Sequence, residues 1–192
     1  LVVVEDLYRP YRPKRRTRAM IAKEKGLEPL AALITLQKAE KPIEVYAEEY
    51  VNPEKEVKSV KEAIDGAKDI IAESVSDEAD YRSWIRKATV QHGKVISQAK
   101  DEKAESVYEM YYDFEEPVTK LAGHRVLALN RGEKEKFLTV KIEAPQDDIL
   151  RYLEKKMIHS DNPHTTPILK EVAEDSYKRL IARQSSVRSE AT

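Results

Sequence analysis

Residues 52–93, NPEKEVKSVKEAIDGAKDIIAESVSDEADYRSWIRKATVQHG, set the frame for the whole chain. Val57, Val60, Ile64, Ala67, Ile71 and Val75 recur at steps of three and four, which lines one face of an amphipathic helix. Asn52 followed by Pro53 resembles a helix start, since the Asn side chain can accept from a free amide and proline has no amide to orphan. Ser76 or Asp77 can cap a second helix through Tyr81, Trp84, Ile85 and Ala88, which Gly93 stops. Two helices joined by a brief polar turn predict a helix-turn-helix unit at about residues 53–93.

Toward the amino end, Pro10 and Pro13 keep Arg9 and Arg12 off helical backbone angles, so an extended segment is expected there. Thr17 offers an N-cap to a short helix over Ala19, Met20, Ile21 and Ala22. Gly26 ends that helix, and Pro29 opens the next through Leu30, Leu33, Ile34 and Leu36. Toward the carboxyl end, Val95–Ser97 can form a short strand. Val107, Met110, Tyr111 and Phe114 predict a helix that runs to Pro117, and residues 124–130 predict another, followed by a turn at Arg131-Gly132-Glu133.

Residues 137–142, FLTVKI, combine aromatic and branched side chains and form the best strand of the chain. Helices follow over Ile149, Leu150, Leu153 and Met157, and over Leu169, Val172, Ala173, Ser176 and Leu180. The breaker-rich loop His159–His164 separates them, and a polar, frayed tail begins at Ser185. The expected fold is mainly α, a multi-helix array that contains the helix-turn-helix unit and one short β element. Three consecutive segments are expected: 1–52, 53–110 and 111–192.

A length of 192 residues, 41% of them hydrophobic, is enough for one large domain or two small ones with a core, and excludes a wholly disordered chain. The absence of cysteine excludes disulfides, a thiol nucleophile and thiolate metal sites, and fits the cytoplasm. No apolar run approaches the roughly 18 residues of a membrane span, and Leu1–Val4 stops at Glu5, too early for a signal-peptide core. A start at Leu1 inside an apolar stretch reads as a piece of a longer protein.

The formal net charge of -1 hides a strong local asymmetry. Residues 9–25 hold Arg9, Arg12, Lys14, Arg15, Arg16, Arg18, Lys23 and Lys25 against Glu24 alone, a local +7. Residues 101–116 hold Asp101, Glu102, Glu105, Glu109, Asp113, Glu115 and Glu116 against Lys103, a local -6.

Four stretches, in order, carry a family resemblance: Glu5–Arg18 (EDLYRPYRPKRRTR) followed by Ile21-Ala22 and Gly26–Ala31; Tyr50–Lys55 with Ala63–Ala67; Tyr112–Pro117 (YDFEEP); and His124–Glu135 (HRVLALNRGEKE). Together they resemble the N-terminal region of the bacterial transcription accessory family Tex, across most of the chain. The resemblance implies a mostly helical scaffold with a helix-turn-helix region that acts through nucleic acid in transcription and is similar to a eukaryotic elongation-factor scaffold. It also implies downstream RNase-H-like, helix-hairpin-helix and OB-type RNA-binding modules, for which 192 residues leave no room. Two positions depart from the family pattern: Lys136 stands where a small residue is usual before the strand, and Arg183-Gln184-Ser185 lacks a Pro-Ser pair after the last helix.

The candidate nucleic-acid contacts are Arg9, Arg12, Lys14, Arg15, Arg16 and Arg18. Each phosphate they neutralise would release counterions, while Tyr8 and Tyr11 could stack on unpaired bases. The alternative is a purely architectural or protein-interaction scaffold, in which these cations pair internally with acids such as those of 101–116. On the second helix Arg82, Arg86 and Lys87 are candidates for a groove, but Asp77, Glu78 and Asp80 put negative charge at the end that would approach DNA.

His124 lacks a visible base partner, and His159, Asp161 and His164 lack the helical spacing of a metal site. The five glycines are too dispersed to cradle a phosphate. The expectation is therefore a non-enzyme with no cofactor and no metal. Its partners would be RNA or DNA, bound weakly by this piece alone, the downstream domains, and possible contacts to RNA polymerase or ribosome-associated factors, with no membrane.

Overall fold

The computed structural model describes residues 16–191, with side chains through residue 182. Eight α-helices lie among the described residues: α1 Arg18–Glu24, α2 Glu28–Leu36, α3 Ile43–Ala47, α4 Val60–Ser76, α5 Ala79–His92, α6 Gly123–Lys134, α7 Gln146–Met157 and α8 Thr166–Ala191. The strands are β1 Lys94–Ala99, β2 Asp113–Pro117 and β3 Leu138–Glu143. The fold is mainly α with one short β element, as expected, and that element is a small three-stranded sheet. None of the described helices is long and apolar enough to cross a membrane.

The chain forms two compact units. Among the described residues, one combines those up to Arg82 with those from Leu150 onward, and the other is Ser83–Ile149. The sequence passes into the second unit within α5 and returns within α7.

In the first unit α4 is the hub, packing against α1, α2, α3 and α8. Ala63, Ala67 and Ala72 are fully buried along it beside Ile70 and Ile71, and they meet an aliphatic core that includes Leu27, Leu30, Ile34, Leu169 and Leu180. α4 begins at Val60 rather than beside Asn52. The Ser59 hydroxyl accepts from Glu62 N at 3.2 Å and the Glu62 carboxylate accepts from Lys58 N at 2.6 Å, a reciprocal cap that fixes the start. Asn52-Pro53 instead opens one 3-10 turn, and Val57 is pinned in an isolated antiparallel bridge to Asn52.

Gln37 ends α2 in the left-handed region (φ 58°) and is buried. Its Nε2 donates to Met157 O at 2.8 Å, and its Oε1 accepts from His159 N at 2.8 Å and Ser160 N at 3.1 Å. Asn162 caps α8 by accepting from His164 N and Thr165 N, and donates to Ala39 O at 2.9 Å. The breaker-rich loop is thus a latch between distant segments.

In the second unit the sheet order is β2-β1-β3, antiparallel throughout, with Ser97 opposite Phe114 and Val140. One face, with Val95, Ser97, Phe114, Val140 and Ile142, belongs to a cluster that also holds Tyr108, Tyr111, Leu129 and Leu138. The helix expected through Val107 and Phe114 is corrected to a 3-10 turn, Glu109–Tyr111, followed by β2. Hydrogen bonding to β1 outweighs the helical spacing: Tyr108 and Tyr111 turn inward, while Val107 and Met110 stay 86% and 64% exposed.

The turn expected at Arg131–Glu133 lies inside α6. Gly132 is buried there because a Cβ would stand 2.4 Å from Leu138 Cδ1 and 3.2 Å from Tyr108 Cδ1. The chain turns later, at Lys136 (φ 68°), with Lys136 N donating to Glu133 O and Phe137 N to Gly132 O. This pair of bonds usually has glycine at the left-handed position.

Candidate nucleic-acid interface

Arg9, Arg12, Lys14 and Arg15, with Tyr8 and Tyr11, lie outside the described residues. Arg16 and Arg18 flank Thr17, whose hydroxyl caps α1 by accepting from Met20 N at 3.1 Å. Arg16 pairs with Glu24, both side chains being more than 60% exposed. Arg18 Nε lies 3.8 Å from Asp69 and the Arg18 side chain is 70% exposed.

Asp69 is shared with Arg179 at 2.9 Å, and Arg179 also reaches Asp175 at 2.9 Å. Lys68 pairs with Glu171 in the same shallow cleft, which Asp65 also lines. Asp65, Asp69, Glu171 and Asp175 are matched here by Lys61, Arg18, Lys68 and Arg179, so the cleft itself carries no positive excess.

α4 and α5 are joined by a two-residue turn, Asp77-Glu78. Arg82 on α5 is buried and engaged, Arg86 is half-buried and engaged, and Lys87 is exposed. Lys94 stands 2.9 Å from Glu115, and the hydrogen bond to that carboxylate raises its pKa above the ordinary lysine value. Asp80 lies in the first turn of α5, at the end where a groove-reading helix would need positive charge. The acids of 101–116 that are paired within the described residues include Glu115, with Lys94, and Glu116, with Arg125.

α6 brings two of the family-like stretches together. Arg125 lies over the Phe114 ring at 5.5 Å and reaches Glu116 at 3.3 Å. Glu133 accepts from Val140 N at 3.2 Å, and Glu135 accepts from the Tyr108 hydroxyl. His124, Asn130, Arg131, Lys134 and Lys136 are exposed. Sequence reasoning missed Arg131, Lys134 and Lys136 because neighbouring acids mask them in any local charge count.

His159, Asp161 and His164 surround Asn162, whose bonds are the latch already described. Among the described residues no group of three or more His, Asp or Glu side chains is placed to hold a metal ion. A cleft of about 360 Å³ in the first unit has a largely aliphatic wall of Ala31, Ile70, Ile71, Val75, Met157 and Leu169, with Glu28, Lys156 and His159 also lining it.

Residues 37–187 match the family model described as Tex central region-like. The chain is 52% identical over 181 residues to protein YdcI of Bacillus subtilis, covering 93% of this chain and 25% of that protein. It is 41% identical over 146 residues to protein tex of Bordetella pertussis (75% of this chain, 18% of that protein). It is 33% identical over 189 residues to the transcriptional accessory protein Tex of Neisseria gonorrhoeae (96% and 22%). The chain therefore spans about a quarter or less of the length of these curated relatives. With a family model matched over most of its length, and with a latched helical unit and a small sheet unit to account for the matched stretches, the chain belongs to the Tex family.

Proposed function

We propose that this chain is a non-catalytic, nucleic-acid-binding scaffold piece of a cytoplasmic transcription accessory factor, with Arg9, Arg12, Lys14, Arg15, Arg16 and Arg18 supplying contacts to the RNA or DNA backbone. The observation that carries it is the local +7 of residues 9–25, whose described members Arg16 and Arg18 stand at the surface. Exposed pairs such as Arg16–Glu24 contribute under about 1 kcal/mol and exchange readily for a phosphate. A relative named as a transcriptional accessory protein supports the process. The helical units would hold downstream domains in orientation, and RNA polymerase or ribosome-associated factors are candidate protein partners. α4 and α5 serve better as a docking or architectural pair than as a groove reader, because Arg82 is buried and Asp80 faces the wrong charge.

A salt-titrated binding assay with RNA and DNA oligonucleotides tests it. Arg15, Arg16 and Arg18 changed together to Ala are expected to lower the slope of log affinity against log salt by about 2 to 3. An unchanged slope rejects the basic segment as the contact. The second reading, a scaffold that meets protein only, is favoured by the acid-lined cleft that engages Arg18. Undetectable binding at low salt would establish it.

A further inference from the structure

We propose that the outward face of α6 and its cap, formed by Arg131, Lys134 and Lys136 beside Asn130 and Leu127, is a contact surface for the phosphodiester backbone of a single-stranded nucleic acid. It rests on the nucleic-acid reading above and adds to it residues which that reading does not use.

Residues 131–136, RGEKEK, hold three cations and two acids, and along the sequence they nearly cancel. The fold engages the acids and not the cations. Glu133 accepts from Val140 N and Glu135 from the Tyr108 hydroxyl, although both residues are exposed, and Gly132 is buried against Leu138. Arg131, Lys134 and Lys136 are exposed, and no ion pair among the described residues engages them. A further cation of α6, Arg125, is on the opposite side, over Phe114 and against Glu116.

Helical spacing puts Leu127, Asn130, Arg131 and Lys134 on one face, with Leu127 and Lys134 about 10 Å apart along the axis. Leu127 is 68% exposed, an apolar surface flanked by donors. Guanidinium, ammonium and amide N–H groups dominate the stripe, which suits an acceptor-only phosphate strand with a base or sugar resting on Leu127. Cations in the last turn also favour the helix dipole, but that role acts on helix stability alone and asks for no exposed Leu and no third cation beyond the helix end.

The 192-residue chain is titrated with fluorescent 12-mer single-stranded RNA, single-stranded DNA and duplex DNA over a salt series. R131A/K134A/K136A is expected to weaken single-strand binding at least tenfold at low salt. It should lower the salt slope by about 2, with the circular dichroism melt unchanged. Leu127→Ala should weaken single strands several-fold and leave the duplex unaffected. Should the triple variant fold poorly, K134A/K136A, both beyond the buried part of α6, is expected to lower the slope by about 1.4. Full retention of single-strand binding by these variants overturns the surface and assigns the face to protein; if R15A/R16A/R18A meanwhile loses binding, the wider nucleic-acid reading stands. Equal losses on duplex and single strand overturn the single-strand assignment. A wild-type chain that binds none of the three probes at low salt overturns both.

Discussion

Both units pair some cations and leave others exposed, but they find the partners in different places. In the first, cations meet carboxylates from other helices: Arg18 and Arg179 share Asp69, and Lys68 meets Glu171. In the second, Arg125 and Lys94 are paired with β2, while Arg131, Lys134 and Lys136 face solvent. Their cores differ as well. The first is mainly aliphatic around an alanine-lined helix, and the second gathers Tyr108, Tyr111, Phe114 and Phe137 over one face of a sheet. The contrast teaches that surface charge follows where the fold anchors its carboxylates, and not the local balance of residues.

Gly93→Ala is the harshest way to break the second unit. A Cβ there would lie 2.3 Å from the Thr89 carbonyl oxygen and 3.1 Å from that of Glu143, both backbone atoms that have little room to yield. A loss of about 3 kcal/mol is expected in urea unfolding, with hydrogen exchange of the β1–β3 amides accelerated before that of α4. Loss of protection in α4 first would contradict the assignment of the damage to the sheet.

Asp69→Asn tests the first unit's pairing. It withdraws charge from the partner of Arg18 and Arg179, and a stability loss of about 1 kcal/mol that shrinks as salt rises is expected. Arg131→Ala, the matching change in the second unit, should leave the melt within about 0.5 kcal/mol. A comparable loss for both would erase the distinction.

Lys136→Gly sharpens the picture with the smallest effect. Relief of a left-handed residue (φ 68°) should raise stability by roughly 0.5–1 kcal/mol in urea titration. It should also slightly weaken single-strand binding, so stability and affinity move in opposite directions.

The helices were legible where one face repeats without interruption. Ile64, Ala67, Ile71 and Val75 mark α4, and Ile149, Leu153 and Met157 mark α7. Their boundaries were less so, because the start of α4 depends on a Ser59–Glu62 exchange that competes with an equally plausible Asn52-Pro53 cap. β2 was hidden: DFEEP has one aromatic residue among charges, and it becomes a strand only through its pairing with β1 and the Arg125 contact to Phe114 and Glu116. For the candidate interface, the basic stretch was plain as composition, whereas the sorting at 131–136 required knowing that Val140 and Tyr108 hold the two acids.

The Gln37 latch has a consequence for biosynthesis. Its amide bonds join backbone atoms more than 100 positions later, and the intervening stretch forms a unit of its own. A ribosome adding roughly 5–20 residues per second leaves the α1–α4 portion waiting several seconds for α8 to emerge, with the α4 surface that α8 covers exposed until then. Nascent chains halted before residue 150 should accordingly recruit a trigger-type chaperone, and those halted after α8 has cleared the exit tunnel should release it.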